Sequence, residues 1–303
     1  MKILRFGERY DKPIVIVLGF FDCIHLGHKT LALCAKDYAN NNSIESALFT
    51  FSNDPSQLFG GERQIYTFDE RIVALKAIGI DNIVSATLDS DFAAIGPIEF
   101  LDSLTNTLNI LAIVVGEDYT FGKNASGNVD TLKDYCKNNS IDLIVKPFTL
   151  HNGSKISTRT LKNLVTAGCI HNLNELLSEP YFMLGTVEHE RHVGTGMGFP
   201  TANIPISASK LPLADGIYAT RILVDGKRYN SMTNIGSKPT FDVHKPSIET
   251  YIFDFDGDLY GKGVKLSFYE RTRDVMKFES KDALKAQLTQ DEFNIRLILQ
   301  NLE

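Results

Sequence analysis

Apolar residues along the chain follow two different rhythms. In the first half, short runs rich in Ile, Val and Phe at 14–18, 45–51, 82–86, 110–115 and 141–145 are nearly continuous, as strands buried on both faces of a parallel sheet are. Between them, near 28–40, 68–78, 97–107 and 130–138, apolar positions recur at helical spacing, and Pro97 suits a first helical turn. This alternation predicts an α/β domain, a Rossmann-like doubly wound parallel sheet whose ligands bind beyond the carboxyl ends of the strands.

A helical stretch at about 158–178, broken by Gly168, ends near Pro180, and the pattern then changes. Short β-rich runs follow at 181–188, 216–224, 229–235, 248–255 and 264–269, with Asp225-Gly226 and Asp256-Gly257 as hairpin-type turns. They predict a small antiparallel β-barrel. Leu284, Leu288, Ile295 and Leu299 give a C-terminal helix one apolar face with which to cover it. The expected domains are 1–178 and 179–303.

Composition adds limits. A hydrophobic fraction of 43% and a charged fraction of 22% are ordinary for a globular protein. Cys23, Cys34, Cys136 and Cys169 lack metal-ligand spacing and fit free thiols in a reducing cytosol. No apolar run approaches the ~20 residues that span a membrane, and the N-terminus lacks a signal-peptide core, so a cytoplasmic protein is expected. A net charge of −6 argues against nucleic-acid binding. An anionic ligand would be held locally, by a helix end, a few basic side chains or Mg²⁺.

The turn 19–28, Gly-Phe-Phe-Asp-Cys-Ile-His-Leu-Gly-His, joins the first strand to the first helix. A helix N-terminus favours phosphate. His25 and His28 share one helical face, and Gly19 and Gly27 admit a close ligand. Two histidines alone are an ordinary surface turn; with the glycines, Asp22 and the preceding strand they read as a nucleotidyl-transfer site that works by positioning and electrostatics. At other strand ends lie the loop 116–122, with Asp118, Tyr119, Phe121 and Gly122, and the segment 155–162, with Ser157, Thr158 and Lys162. The loop suits a flat ring and equally suits self-packing. Ser157 is a natural N-cap, and capping by itself accounts for it.

In the second half, the run 198–203 combines Gly198, Phe199 and Pro200 with Thr201 and Asn203, whose side chains point the same way in an extended segment and can share one hard cation such as Mg²⁺. A proline turn with capping polar residues is the plainer reading. Period-two alternation puts Glu249 with Tyr251, Phe253 and Phe255, and a partly desolvated carboxylate suits general-base work; a strand-end Glu exposed to water is the commoner case for an isolated Glu. Arg273 and Lys277 could meet phosphate or simply solvate a surface.

Together, the G-x-F-D-x-x-H-x-G-H turn, the loop 116–122, the Ser157-Thr158 helix start, the G-F-P-T-A-N run and the stretch 254–261 follow the order of one family. The chain resembles the bacterial bifunctional riboflavin kinase/FMN adenylyltransferases, or FAD synthetases, over nearly its full length. The resemblance implies a C-terminal kinase that phosphorylates the ribityl 5′-hydroxyl of riboflavin, with MgATP held through Thr201 and Asn203 beside Gly198 and Pro200, and with Glu249 as base. It implies an N-terminal domain that transfers AMP from ATP to FMN and releases pyrophosphate. There His25 and His28 would act on the phosphates, with Gly19, Phe20, Asp22, Gly27, Ser157, Thr158 and Lys162 on the nucleotide. Asp118, Tyr119, Phe121, Gly122 and Arg273 would lie on the flavin.

The chain departs from the family pattern in four places: Cys23 replaces Gly, Asn53-Asp54-Pro55 replaces a Pro-His-Pro-like ending, Arg159 replaces a hydroxyl and Lys162 an arginine, and Val193-Gly194-Thr195 replaces Arg-Gly-Arg. A Lys keeps the charge of an Arg but loses its fork. The alternatives are an enzyme with one half inactive and a flavin-binding carrier without turnover.

Overall fold

The computed structural model describes residues 1–188, 199–237 and 246–302. The chain divides into two compact units, Met1–Thr158 and Arg159–Glu303.

The first unit contains β1 (Lys2–Arg5), β2 (Tyr10–Leu18), α1 (Leu26–Asn42), β3 (Glu45–Phe51), α2 (Ser56–Phe59), α3 (Phe68–Ile78), β4 (Asn82–Ala86), α4 (Ser90–Ala94), α5 (Pro97–Thr105), β5 (Leu108–Gly116), α6 (Val129–Asn139), β6 (Asp142–Lys146) and a small hairpin of β7 (Leu150–His151) and β8 (Ser154–Lys155). Six strands form a sheet in the order β1-β4-β3-β2-β5-β6, and every pairing is parallel. The chain runs outward from β2 on one side and from β5 on the other. The switch point therefore lies between the ends of β2 and β5, where a doubly wound sheet opens a ligand crevice.

The central strands form because they are apolar on both faces: Ile14, Val15, Ile16 and Val17, and likewise Ala112, Ile113, Val114 and Val115, are wholly buried. Local signals set the helix starts. Thr67 and Glu70 close a capping box at α3, and Asn128 with Thr131 does the same at α6. Strand β1 carries a single buried residue, Leu4, between exposed ones, so no apolar run announced it.

The second unit contains α7 (Thr158–Ala167), α8 (Ile170–Leu176), β9 (Phe182–Thr186), β10 (Thr201–Pro205), β11 (Gly216–Val224), β12 (Lys227–Ser237), β13 (Pro246–Ile252), β14 (Gly263–Arg273) and α9 (Lys281–Gln300). The expected boundary at 178/179 falls later than the division by compactness; α8 packs against β14.

Its six strands pair antiparallel in the order β10-β13-β12-β11-β14-β9. The two ends of this sheet approach one another: the Glu188 N–H donates to the Asn203 carbonyl at 2.9 Å, and a Cβ on Gly185 would lie 2.3 Å from Ile204. Ile295 and Leu299 of α9 pack on Ile217, Ala219, Met232 and Phe253, with Leu288 alongside, so the expected apolar face covers the sheet.

One turn differs from expectation. Asp225 (φ 49°) and Gly226 (φ 76°) do join β11 to β12 tightly. Asp256-Gly257 makes no hairpin, because β13 pairs with β10 and β12 whereas β14 pairs with β11 and β9. The left-handed residue there is Asp254 (φ 56°), which forms a bidentate pair with Arg296 at 2.7 and 3.0 Å.

Candidate active sites

The β2–α1 turn lies at the switch point. His25 is the N-cap of α1, and its Nδ1 accepts from the His28 N–H at 3.2 Å. The His28 Nδ1–H donates to the Cys23 carbonyl at 2.6 Å. The two rings stack with centroids 3.6 Å apart, and Phe21 lies 4.6 Å from His28. Close packing explains Gly27, where a Cβ would meet the His25 ring at 2.9 Å, and Gly19, where it would meet Phe21 at 2.6 Å. The strained residue is Phe21 (φ 55°). Cys23 is not among the left-handed residues, so no backbone conformation there calls for glycine.

Burial lowers both imidazoles, His25 to about 2 and His28 to about 4; mutual repulsion and Lys155 add to the effect at His25, while the Cys23 carbonyl and Asp118 oppose it at His28. Both are therefore neutral near pH 7, and the hydrogen bonds set their tautomers. His25 carries its proton on Nε2, a ready donor. His28 carries its proton on Nδ1, which leaves a lone pair on Nε2.

A cleft of about 560 Å³ opens in front of this turn. Gly19, Phe20, His25, Gly27, His28, Asp118, Tyr119, Lys155, Ser157 and Thr158 are among the residues that line it. Lys155 Nζ lies 2.6 Å from Asp118 Oδ2 and 3.6 Å above the Phe148 ring. Beside it a second cavity of about 380 Å³ is walled by Phe49, Phe51, Phe59, Phe92, Phe100 and Phe121, with Tyr119, Gly122 and Asn124. Phe20 borders both. The loop 116–122 packs on itself: Tyr119 stacks on Phe121 at 5.5 Å, and Gly122 (φ 73°) packs against Pro97, where a Cβ would sit 2.7 Å from its nitrogen; the packed loop also walls the apolar cavity.

Asp22 turns away from the cleft. It is buried, and its Oδ1 accepts the Ile65 N–H at 2.7 Å. Asp54, in the departing Asn53-Asp54-Pro55 segment, accepts from the Ser56 N–H at 3.0 Å and the Ser56 hydroxyl at 2.7 Å. Asn53 ties the same segment to Leu88 through two hydrogen bonds, at 2.7 and 2.9 Å. Lys162 lies on α7 in the second compact unit.

In the second unit the strand register builds a polar row. Asn203 on β10 and Asn234 on β12 both stand opposite Glu249 on β13. Asn234 Nδ2 donates to Glu249 Oε2 at 3.4 Å. Among the described residues, Asn203 Oδ1 and Asn234 Oδ1 are buried with no hydrogen-bond partner. Thr201 shares the Asn203 face of β10, since Ala202 and Ile204 are the buried residues of that strand. Glu249 therefore has asparagines abreast of it. Of the expected aromatic company, Tyr251 is two residues on, with Phe199 at 5.0 Å and Phe253 at 5.5 Å; Phe255 lies past the strand end and packs on Tyr229 at 5.2 Å. Pro200 is exposed next to β10, and Gly198 lies outside the described residues. Arg273 gives its guanidinium to Asp291, with contacts at 2.6 and 3.0 Å.

Sequence reasoning missed Asn234 and the phenylalanines contributed by β3, α2, α4 and α5. Strand pairing, which no local pattern encodes, brings them in. Among the described residues no cluster of three or more His, Cys, Asp or Glu could hold a metal ion, and no helix is long and apolar enough to cross a membrane.

A cleft at a helix N-terminus on the switch point of a parallel sheet, joined in one chain to an antiparallel sheet bearing a carboxylate between two asparagines, fits a two-domain transferase that uses nucleotides. The family model described as FAD synthetase matches residues 7–160, and the one described as riboflavin kinase matches residues 177–299. The bifunctional riboflavin kinase/FMN adenylyltransferase of Bacillus subtilis is 32% identical over 284 residues, 91% of this chain and 90% of that one. Its counterpart in Listeria monocytogenes is 32% identical over 301 residues, 98% and 96% of the two chains. A solved structure described as a macrolide-efflux protein from Streptococcus pneumoniae has a TM-score of 0.87 at 29% identity and covers 97% of this chain and 98% of its own. The chain belongs to the bifunctional riboflavin kinase/FMN adenylyltransferase family.

Proposed function

We infer that the protein makes FAD from riboflavin in two ATP-dependent steps. The second unit phosphorylates riboflavin to FMN, and the first transfers AMP from ATP to FMN with release of pyrophosphate. The observation that carries the reading is the pair of cavities meeting at Phe20: one polar, at a helix N-terminus, and one walled by aromatic rings. Adenylyl transfer to a flavin needs both, because the FMN phosphate must face the α-phosphorus of ATP while the ring system stays in an apolar slot.

In the adenylyltransfer step an FMN phosphate oxygen attacks the α-phosphorus, the bond to the β-phosphate bridging oxygen breaks, and pyrophosphate leaves. The α1 N-terminus and the His25 Nε2–H meet the charge that accumulates. Proton uptake at His28 Nε2 adds a second donor when the triphosphate arrives. Gly19, Phe20, Gly27, Ser157 and Thr158 shape the nucleotide side, and Asp118, Tyr119, Phe121 and Gly122 shape the flavin side. Asp22 serves this site by anchoring the segment at Ile65.

In the kinase step Glu249 takes the proton of the ribityl 5′-hydroxyl as its oxygen attacks the γ-phosphorus and ADP departs. Asn203 fits a cation site, because its buried Oδ1 has no hydrogen-bond partner among the described residues and oxygen is the donor that Mg²⁺ prefers. Mg²⁺ held by Asn203 and Thr201 would supply charge neutralisation on the ATP phosphates. Pro200 belongs to the nucleotide side of this site. Arg273 would reach flavin only by exchanging its pair with Asp291. A cytoplasmic setting belongs to the same proposal.

The test is chromatography of flavins after incubation of the protein with MgATP and either riboflavin or FMN. FMN and FAD from riboflavin, and FAD from FMN, are expected; flavin that binds without turning over would overturn the reading.

A further inference from the structure

Arg71 of α3 is 0% exposed, although a guanidinium is among the groups least often buried without a counter-charge. Its fork reaches four groups from three segments. Nη1 donates to the Phe20 carbonyl at 3.2 Å and to Thr50 Oγ1 at 2.7 Å; Nη2 donates to the Phe51 carbonyl at 2.8 Å and to Gln64 Oε1 at 3.4 Å. Thr50 Oγ1 in turn donates to the same Phe20 carbonyl at 2.5 Å. The guanidinium also lies 5.0 Å from the Phe20 ring centroid and 5.6 Å from that of Phe68.

These contacts converge on the partition of the candidate site. Phe20 borders both cavities, Phe51 walls the aromatic one, and Gln64 stands just before the Ile65 amide that Asp22 accepts. Burial lowers the Arg71 pKa to about 10, and Asp22, Asp54 and Glu70 oppose that shift, so the group is a cation in place, with counter-charges in the turn (Asp22), in the loop after β3 (Asp54) and on its own helix (Glu70). Asp54 stands in the segment where the chain departs from its family pattern. Arg71 touches neither cavity as a lining residue and has no role in the chemistry itself.

We propose that Arg71 is a positioning residue for adenylyl transfer: through the Phe20 carbonyl and ring it fixes the partition between nucleotide cleft and aromatic cavity, and so aligns the FMN phosphate with the α-phosphorus of ATP. This rests on the reading of the first unit given above. A fork is required, because a lysine ammonium cannot serve the Phe20 and Phe51 carbonyls in one plane.

The test compares wild type, Arg71→Lys and Thr50→Val. Thr50→Val keeps the arginine and its direct bond to Phe20 and removes only the hydroxyl that bridges the two, which guards against a Lys variant that fails to fold. For each protein, kcat and KM for FAD formation from FMN are measured, with FMN affinity by flavin fluorescence, unfolding of the first unit by urea, and FMN formation from riboflavin as an internal control. Arg71→Lys is expected to lower kcat by roughly 10²-fold, the usual effect of about 1 Å of misplacement. Thr50→Val should lower it by roughly tenfold, the effect of one lost hydrogen bond to a charged group. FMN-binding capacity and kinase rate should hold.

Wild-type kcat in both variants, or a loss of kcat matched by an equal loss of folded, FMN-binding protein, would overturn the positioning role. A wild-type protein that makes no FAD from FMN would overturn the underlying reading and this proposal with it, whereas active wild type with unaltered variants overturns this proposal alone.

Discussion

The two candidate sites handle their polar groups in opposite ways. In the first, His25, His28, Asp22 and Arg71 are tied to backbone or to one another, and the imidazoles are held neutral by burial. In the second, Glu249 stands between two asparagine oxygens that are buried and unpartnered among the described residues. An unsatisfied buried acceptor costs about 1–3 kcal/mol. Arg71 Nε aside, which is buried without a hydrogen-bond partner among the described residues, the first site is closed by the protein's own contacts, whereas the second leaves acceptor oxygens open to what binds there. Preorganised donors suit adenylyl transfer, which consists mostly of holding phosphates in line, whereas open acceptor oxygens suit a step that needs a cation beside a base.

The sharpest break of that comparison is Glu249→Gln. Loss of a general base should lower FMN formation by roughly 10²–10⁴-fold and leave FAD formation from supplied FMN at the wild-type rate; an unchanged rate on riboflavin would remove Glu249 from the chemistry. His25→Ala comes next. It deletes a fixed donor and should slow FAD formation by roughly 10²–10³-fold, with FMN formation unaffected, as initial rates on each flavin will show.

Asn203→Leu separates stability from function. Replacing an unpartnered acceptor by an apolar side chain should raise the stability of the second unit by about 1 kcal/mol in urea, while the Mg²⁺ needed for half-maximal FMN formation rises roughly tenfold through loss of an oxygen ligand. A variant both less stable and unchanged toward Mg²⁺ would mean that the oxygen is satisfied in solution. A further prediction concerns pH. Because His25 and His28 are depressed in the fold, the unfolded chain takes up more protons below its ordinary pKa of 6.5. Stability of the first unit is therefore fully present above pH 6.5 and falls as pH drops toward 4, by at most about 1.4 kcal/mol per pH unit for each ring. Replacing both by Asn should flatten that slope, as urea midpoints at pH 7.5 and 5 would reveal.

Much of this architecture was legible in the chain, and its limits are physical. The runs at 45–51 and 82–86 and the helix at 68–78 coincide with β3, β4 and α3, because buried parallel strands and capped helices are written in local residue type. Strand β10 was read only as an extended segment, and Asp256-Gly257 as a hairpin, because pairing partners lie far apart in sequence. His25 and His28 were legible as a pair, but not their tautomers, which depend on the Cys23 carbonyl and the His28 amide. Asn234 and Arg71 were invisible for the same reason: one acquires its place by register opposite Glu249, the other by burial beneath Phe20.

The central claim is that two separate sites in one chain each perform one step. The most direct measurement is chromatography of the flavins formed from riboflavin and MgATP by Glu249→Gln alone, His28→Ala alone and the two mixed. The account predicts no FMN or FAD from the first, FMN without FAD from the second, and FAD from the mixture, as FMN released by one protein is adenylylated by the other. FAD from either variant alone at the wild-type rate, or a mixture that accumulates FMN and makes no FAD, would contradict it.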